Sequence, residues 1–214
     1  MEIVYNKDPR FKSLWETFLH RNIDVSPFYS LAWMEYQIAY SEERYKDDFS
    51  FVAIDASGSV AAICPLYLEQ YGDKKRLSYR GEYLESLRAP IVANDVSAKS
   101  RDKIRQALFD EIDQIARRTG AVKCNLIIDP LCGDSQRERY NYLTRYDYLD
   151  ASLTTVLIDL HKSTSELWKE LRSSYKALIN KSERIYKIFV MDADSITLPQ
   201  FDAQPLFFSN KAEK

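Results

Sequence analysis

The sequence predicts an α+β protein with a mixed sheet flanked by helices, and three observations carry that prediction. Two amphipathic stretches come first, a hairpin of apolar strands follows, and only later do strands and helices alternate. Hairpins early and βα alternation late fit a layered α+β or α/β domain rather than a purely doubly wound sheet. At 214 residues the chain is long enough to bury a sizeable core.

Residues 10–21 read as an amphipathic helix, because Phe11, Leu14, Trp15, Phe18 and Leu19 recur at helical spacing. The run Asp24-Val25-Ser26-Pro27 breaks it, and residues 30–43 read as a second helix with Leu31, Trp33, Met34 and Ile38 inward. Residues 49–56 and 59–70 form a hairpin around Ser57-Gly58, where glycine supplies the positive φ of a tight turn. The turn Tyr71-Gly72-Asp73-Lys74 leads to a strand near residues 75–79. Residues 80–98 have no clear period, apart from a short extended piece at Ala89-Pro90-Ile91-Val92. Ser97 or Ser100 caps a long helix to about Thr119, with Ile104, Leu108, Ile112 and Ile115 as its inner stripe and Gly120 as its stop. Residues 122–128 read as a buried strand ending at Asp129-Pro130, and residues 136–146 as a short helix.

The densest stretch is 154–190. Residues 154–160 form a β-branched, apolar strand. Ser163 and Glu166 then make a capping box, the sign of a helix start. On one continuous helix Leu167, Trp168, Leu171, Tyr175, Leu178, Ile179 and Ile185 fall within roughly a 120° arc. Lys169, Arg172, Lys176, Arg184 and Lys187 gather opposite, so the apolar arc, Tyr175 included, is free to dock on a core. A strand over 187–191 follows, then a tail that begins to approach another helix.

Composition removes several function classes. A net charge of −2 argues against a dedicated nucleic-acid-binding domain, which needs a strongly basic face. Locally, residues 161–190 carry seven Lys/Arg against three Asp/Glu, a net of +4, which on a helix is first of all a solvated face. Cys64, Cys124 and Cys132 lack C-x-x-C spacing and a nearby His, so neither a disulfide framework nor a metal site is expected. Without a basic-then-apolar leader or eighteen consecutive apolar residues, the chain reads as soluble and cytoplasmic with no transmembrane segment. His20 and His161 pair with no nucleophile motif such as G-x-S-x-G. The acidic pairs Glu42-Glu43 and Asp47-Asp48 read as a polar turn before a strand.

Two sets of residues remain as candidate binding groups. One is the basic side of the helix, Arg172 and Lys176 with Lys181 nearby, because Arg and Lys donate charge-assisted hydrogen bonds to phosphate or carboxylate. The other is Tyr79-Arg80 in the irregular segment after a strand, where loops often carry binding groups.

The order strand, Ser/Thr cap, Glu166-Leu167-Trp168, then Leu171-Arg172-x-Ser174-Tyr175-Lys176-x-Leu178-Ile179-Asn180-Lys181 resembles the junction between the halves of FemAB-like acyltransferases. That superfamily includes the peptidoglycan-bridge aminoacyltransferases. The stretches SPFYSLAWMEYQIAY (26–40) and FVAIDASGSVAAICPLYLEQ (51–70) look like the opening of the same family, and the matches together touch most of 15–190. Members commonly carry Arg-Lys-Ser-Tyr where this chain has Arg172-Ser173-Ser174-Tyr175, so one basic group is absent. The resemblance implies an acetyltransferase-like (GNAT) fold, with a first domain over 1–160. It also implies a linking helix and the incomplete start of a second such domain over 161–214. Its chemistry is N-acyl transfer: an amine of a cell-wall or surface-glycan precursor attacks an activated carboxyl. An aminoacyl-tRNA or acyl-CoA is the donor, as co-substrate rather than bound cofactor, and an anionic sugar-nucleotide is the partner along Arg172, Lys176 and Lys181.

One expected motif is missing. Acyl-CoA-binding domains of this fold cradle pyrophosphate on a glycine-containing loop at a helix N-terminus. The five glycines here (58, 72, 81, 120, 133) stand more than eight residues apart from one another. The competing readings are a non-catalytic interaction module that forms a homodimer through an uncovered face, and an acetyltransferase of exopolysaccharide or surface-sugar pathways.

Overall fold

The computed structural model describes residues 1–41, 43–79, 86–138, 141–152 and 158–186. The chain divides into two compact units, Met1–Leu153 and Thr154–Lys214.

The first unit opens with a strand that the sequence reading did not include, β1 (Glu2–Tyr5), whose four residues are too few to show a period. Helices α1 (Phe11–Arg21) and α2 (Leu31–Tyr40) follow, joined through a 3-10 turn at Pro27–Tyr29. Phe11, Trp15 and Phe18 bury the α1 stripe. Trp15 donates its indole N–H to the Tyr29 carbonyl at 2.7 Å, and Tyr29 donates its hydroxyl to the Ala89 carbonyl at 2.7 Å. Ser30 caps α2 by accepting from the Trp33 N–H. The α2 helix stops at Tyr40, three residues earlier than expected, and the position it buries beside Met34 is Gln37.

The hairpin exists but is cut in two. Strands β2 (Tyr45–Asp48) and β3 (Phe51–Ile54) run against β5 (Tyr67–Tyr71) and β4 (Val60–Cys64) respectively. Pro65 is the physical cause, since it has no N–H to donate to a ladder. The gap is bridged by Phe49 N–H to the Leu66 carbonyl (2.8 Å) and Leu66 N–H to the Ser50 hydroxyl (3.0 Å). Asp47 and Asp48 therefore lie in a strand, not a polar turn, and Asp48 is buried, accepting from the Ser50 N–H at 2.7 Å.

Strand β6 (Lys74–Leu77) pairs antiparallel with β5, and two-residue strands β7 (Leu87–Arg88) and β8 (Ile91–Val92) precede helix α3 (Ala98–Thr119). Ser97 caps α3 and Gly120, with φ +69°, ends it in the left-handed conformation that glycine adopts without cost. The expected strand over 122–128 is split: β9 (Ala121–Cys124) runs parallel to β6, and β10 (Leu126–Ile127) parallel to β7. Asn125 makes the switch, donating to the Leu77 carbonyl and accepting from the Leu87 N–H. This strand is half-exposed rather than buried, with Val122 open to solvent. In place of a helix over 136–146 there is a one-turn helix, α4 (Gly133–Gln136), and a 3-10 turn at Tyr142–Tyr146.

The strands order as β1-β3-β4-β8, β2-β5-β6-β9 and β10-β7. Strands β3 and β4 are buried along their length, with α1 packed on both, while α3 packs on β4, β6, β8 and β9. The result is α+β, with mixed sheets flanked by helices.

In the second unit the single long helix is two. Helix α5 (Thr164–Glu170) carries the capping box, with Ser163 and Glu166 each bonded to the other's backbone N–H. Leu171 and Arg172 are extended, and α6 (Ser173–Ile185) starts anew. Ser173 and Ser174 explain the break, because serine hydroxyls compete for backbone hydrogen bonds and favour helix starts over interiors. The apolar arc therefore does not run on from α5 into α6, and Tyr175, Leu178 and Ile185 are exposed. Ile158–Leu160 is not strand. The remainder of the expected strand over 154–160, the strand over 187–191 and the tail lie outside the described residues.

Candidate functional site

Of the residues singled out from the sequence, Arg172, Lys176 and Lys181 lie in the second unit and Tyr79 in the first. Arg172 is the extended residue before α6. Lys176 donates its ammonium to the Lys169 carbonyl at 3.1 Å, closing the C-terminus of α5. Lys181 is exposed and, at about 100° per residue, lies about 140° around α6 from Lys176. Tyr79 belongs to the first unit and is buried, and Arg80 lies outside the described residues.

Tyr79 ends a row of aromatic rings. Phe28 meets Trp33 at 5.0 Å between centroids, Trp33 meets Tyr36 at 5.1 Å, Tyr36 meets Tyr40 at 5.9 Å, and Tyr40 meets Tyr79 edge-on at 6.5 Å. Such offset and edge contacts are those that ring quadrupoles favour. Beside it, Ser78 donates its hydroxyl to the buried Glu69 carboxylate at 3.0 Å. A shallow groove of about 370 Å³ opens against Glu35, Ile38, Ala39 and Tyr45.

A second concavity lies elsewhere, at the start of α3. A cleft of about 400 Å³ is lined by Arg21, Asp55, Asp95, Ser97, Ser100 and Lys103, among others. Arg21 lies 3.5 Å from the Asp95 carboxylate and donates to the Val60 carbonyl. The Asp55 carboxylate accepts from the Ser57 and Ser59 N–H groups and from the Ser57 hydroxyl, which hold it below the usual carboxylate range. With Ser59 also in its lining, the cleft presents two cations, two carboxylates and three hydroxyls, a set suited to hydrogen-bonding a polar ligand.

Behind the cleft runs a buried ionic clasp. Asp134, 2% exposed, accepts from both Arg101 and Arg105 and from the Val92 N–H, and Arg105 also reaches Glu138. Arg105 stacks over Tyr142 at 4.0 Å, and Arg88 over Phe28 at 4.3 Å while facing Asp129. Burying such charges is costly unless they are paired. The clue in the sequence is the α3 stripe itself: read back from Leu108, the inner positions are Arg105 and Arg101. The cleft residues Arg21, Asp55, Asp95 and Lys103 carry no comparable clue, because they converge from four separate segments.

No thiol here is a ready nucleophile. Burial pushes the Cys124 and Cys132 thiols up to about 12 and raises Cys64 as well, so all three stay protonated at neutral pH. Among the described residues no group of three His, Cys, Asp or Glu side chains is placed to hold a metal ion, and no helix is long and apolar enough to cross a membrane.

No family model and no curated protein sequence matches the chain. Among solved structures, the tetramutant of the BH1408 protein from Bacillus halodurans is similar at 14% identity, with a TM-score of 0.44, covering 74% of this chain and 99% of that one.

Proposed function

We propose that the chain is an N-acyltransferase of the FemAB type, moving an aminoacyl or acyl group onto an amine of a cell-wall or surface-glycan precursor. One topological observation carries the reading. A strand and two helices lead into an antiparallel meander, and α3 then connects to a strand, β9, that runs parallel to β6. With β7 and β8 set between the meander and α3, the order is compatible with a GNAT-like domain and supports that finer fold assignment. The cleft beside the start of α3 offers such a reaction a concave surface with convergent polar groups.

Chemistry of this kind needs the amine and the activated carboxyl brought together more than it needs a covalent nucleophile. Three protonated thiols do not oppose it. Arg172, Lys176 and Lys181 remain proposed contacts for an anionic sugar-nucleotide, with Tyr79 and Arg80 as the second proposed set. The reading places the reaction in the cytoplasm. The test is transfer of a labelled acyl group by the full chain, from aminoacyl-tRNA or acyl-CoA, to a nucleotide-linked sugar–peptide. Labelled acceptor that grows with enzyme concentration supports the reading, and an unlabelled acceptor with every donor rejects it.

The second reading, an interaction module that forms a homodimer, is favoured by one observation: Tyr175, Leu178 and Ile185 on α6 are each more than half exposed. A sedimentation coefficient that climbs with concentration, and returns to the monomer value in Leu178→Glu, supports it. A constant monomer rejects it.

A further inference from the structure

Helix α6 buries none of its residues. At about 100° per residue, Ile185, Leu178, Tyr175 and Ile179 follow one another across an arc of about 120°, with Ser182 the one polar residue inside it. Leu178 and Ile185 are each 59% exposed. The polar residues around this stripe are mostly cationic. From Arg172 to Tyr186 the chain carries Arg172, Lys176, Lys181 and Arg184 against Glu183 alone, in a protein whose net charge is −2. Lys181 stands about 40° beyond the Ile185 edge of the stripe and Lys176 about 60° beyond the Ile179 edge. Glu183 shares the Lys176 flank, and Arg184 lies on the far side.

Three kinds of occupant would use this face differently. A soluble anion would engage the cations and leave the apolar stripe in water. A second copy would cover the stripe, but a two-fold contact brings identical surfaces together and so sets one cationic helix against another. The face is also small for that purpose. It is about 20 Å long and about 10 Å wide, roughly 200 Å² in outline, where a stable interface buries about 800 Å² per partner.

An anionic bilayer surface uses both features. The stripe sinks to the acyl boundary, while the Lys176 and Lys181 stems run along it and place their ammonium groups among the lipid phosphates. Tyr175 adds a ring with a polar edge, the kind of side chain that settles at headgroup depth. At about 20 Å the helix is shorter than the hydrocarbon core of about 30 Å, so this contact lies along the surface and does not span it.

The geometry points to α6 as an interfacial helix that docks the chain on an anionic lipid surface, with its apolar stripe in the bilayer and its basic flanks on the headgroups. The inference goes beyond the acyltransferase reading and does not depend on it.

The test is co-sedimentation of the full chain with vesicles of phosphatidylcholine and phosphatidylglycerol in a two-to-one ratio, beside vesicles of phosphatidylcholine alone. Binding to the anionic vesicles that weakens as salt is raised is expected. Each cation near such a surface is worth about fivefold in affinity, so Lys181→Glu, a change of two charges, should weaken binding by about twentyfold. Leu178→Glu should weaken it by about tenfold or more, because the stripe loses its central apolar group. Both positions are exposed, and unchanged melts of the two variants confirm that the fold is kept. No binding to the anionic vesicles, or equal binding to the neutral ones, overturns the inference. Binding that both variants leave intact puts the lipid contact elsewhere on the chain and overturns it too. A lipid-free sedimentation coefficient that climbs with concentration, and falls back in Leu178→Glu, gives the face to a second copy and overturns it as well.

Discussion

At the scale of single residues, the buried charges are the features with the largest consequences. Asp134 pairs with two guanidinium groups that are themselves buried, and Glu138 supplies the second negative charge. Asp134→Asn keeps the shape and removes the charge, so it should cost about 3 to 5 kcal/mol in urea unfolding, the usual penalty for leaving buried cations uncompensated. A loss under about 1 kcal/mol would mean that the clasp is not what holds residues 129–138 to α3. Asp48 works in the opposite sense. Burial raises its pKa above 3.8 despite its bonds to Ser50, so the folded state takes up the proton more readily than the unfolded chain. The stability it contributes is full below the unfolded value and is lost as pH rises through the raised folded value. Relative to wild type, Asp48→Asn should therefore gain stability between about pH 4 and pH 7, because the amide keeps the acceptor and never ionises. Parallel urea melts at the two pH values decide it, and equal differences would refute the assignment. Both carboxylates were visible in the sequence only as ordinary polar residues.

At the scale of elements, helix ends were the most legible features and strand interruptions the least. Ser97, Gly120 and the Ser163–Glu166 box act through bonds to backbone a few residues away, so their roles depend on local chemistry alone. Gly120 offers a clean check. An added Cβ would meet nothing within 4 Å, so Gly120→Ala carries only the cost of a left-handed alanine. That cost, roughly 1 kcal/mol, should lower the Tm by about 2 to 4 °C. An unchanged Tm would show that the α3 terminus relaxes out of the left-handed region. The breaks at Pro65, Asn125 and Leu171-Arg172 were harder to foresee. A proline or a pair of serines marks where regularity becomes costly, but which neighbour receives the freed backbone groups depends on strands distant in sequence.

At the scale of the molecule, every buried hydrophobic side chain among the described residues lies between Val4 and Leu143. The unit Met1–Leu153 thus holds a core of its own. A protein of residues 1–153 should melt cooperatively, within a few degrees of the full chain. A broad, non-cooperative transition, or one far below that of the full chain, would show that residues beyond 153 contribute to the fold.

Sequence alone determined what depends on neighbours within a turn or two: the α+β class, the amphipathic helices α1 and α3, their caps, and the glycine turns. Hydrophobic period and capping are local physics, written into consecutive residues. The basic positions Arg172, Lys176 and Lys181 were equally visible, yet a helix break between α5 and α6 drew Lys176 onto a carbonyl, and Lys181, five residues further on, lies on another side of α6. Tertiary structure decided which strand pairs with which, where the sheets divide, and the cleft and clasp around α3. Those features join residues far apart along the chain, and a buried arginine is stable only where a distant acid meets it.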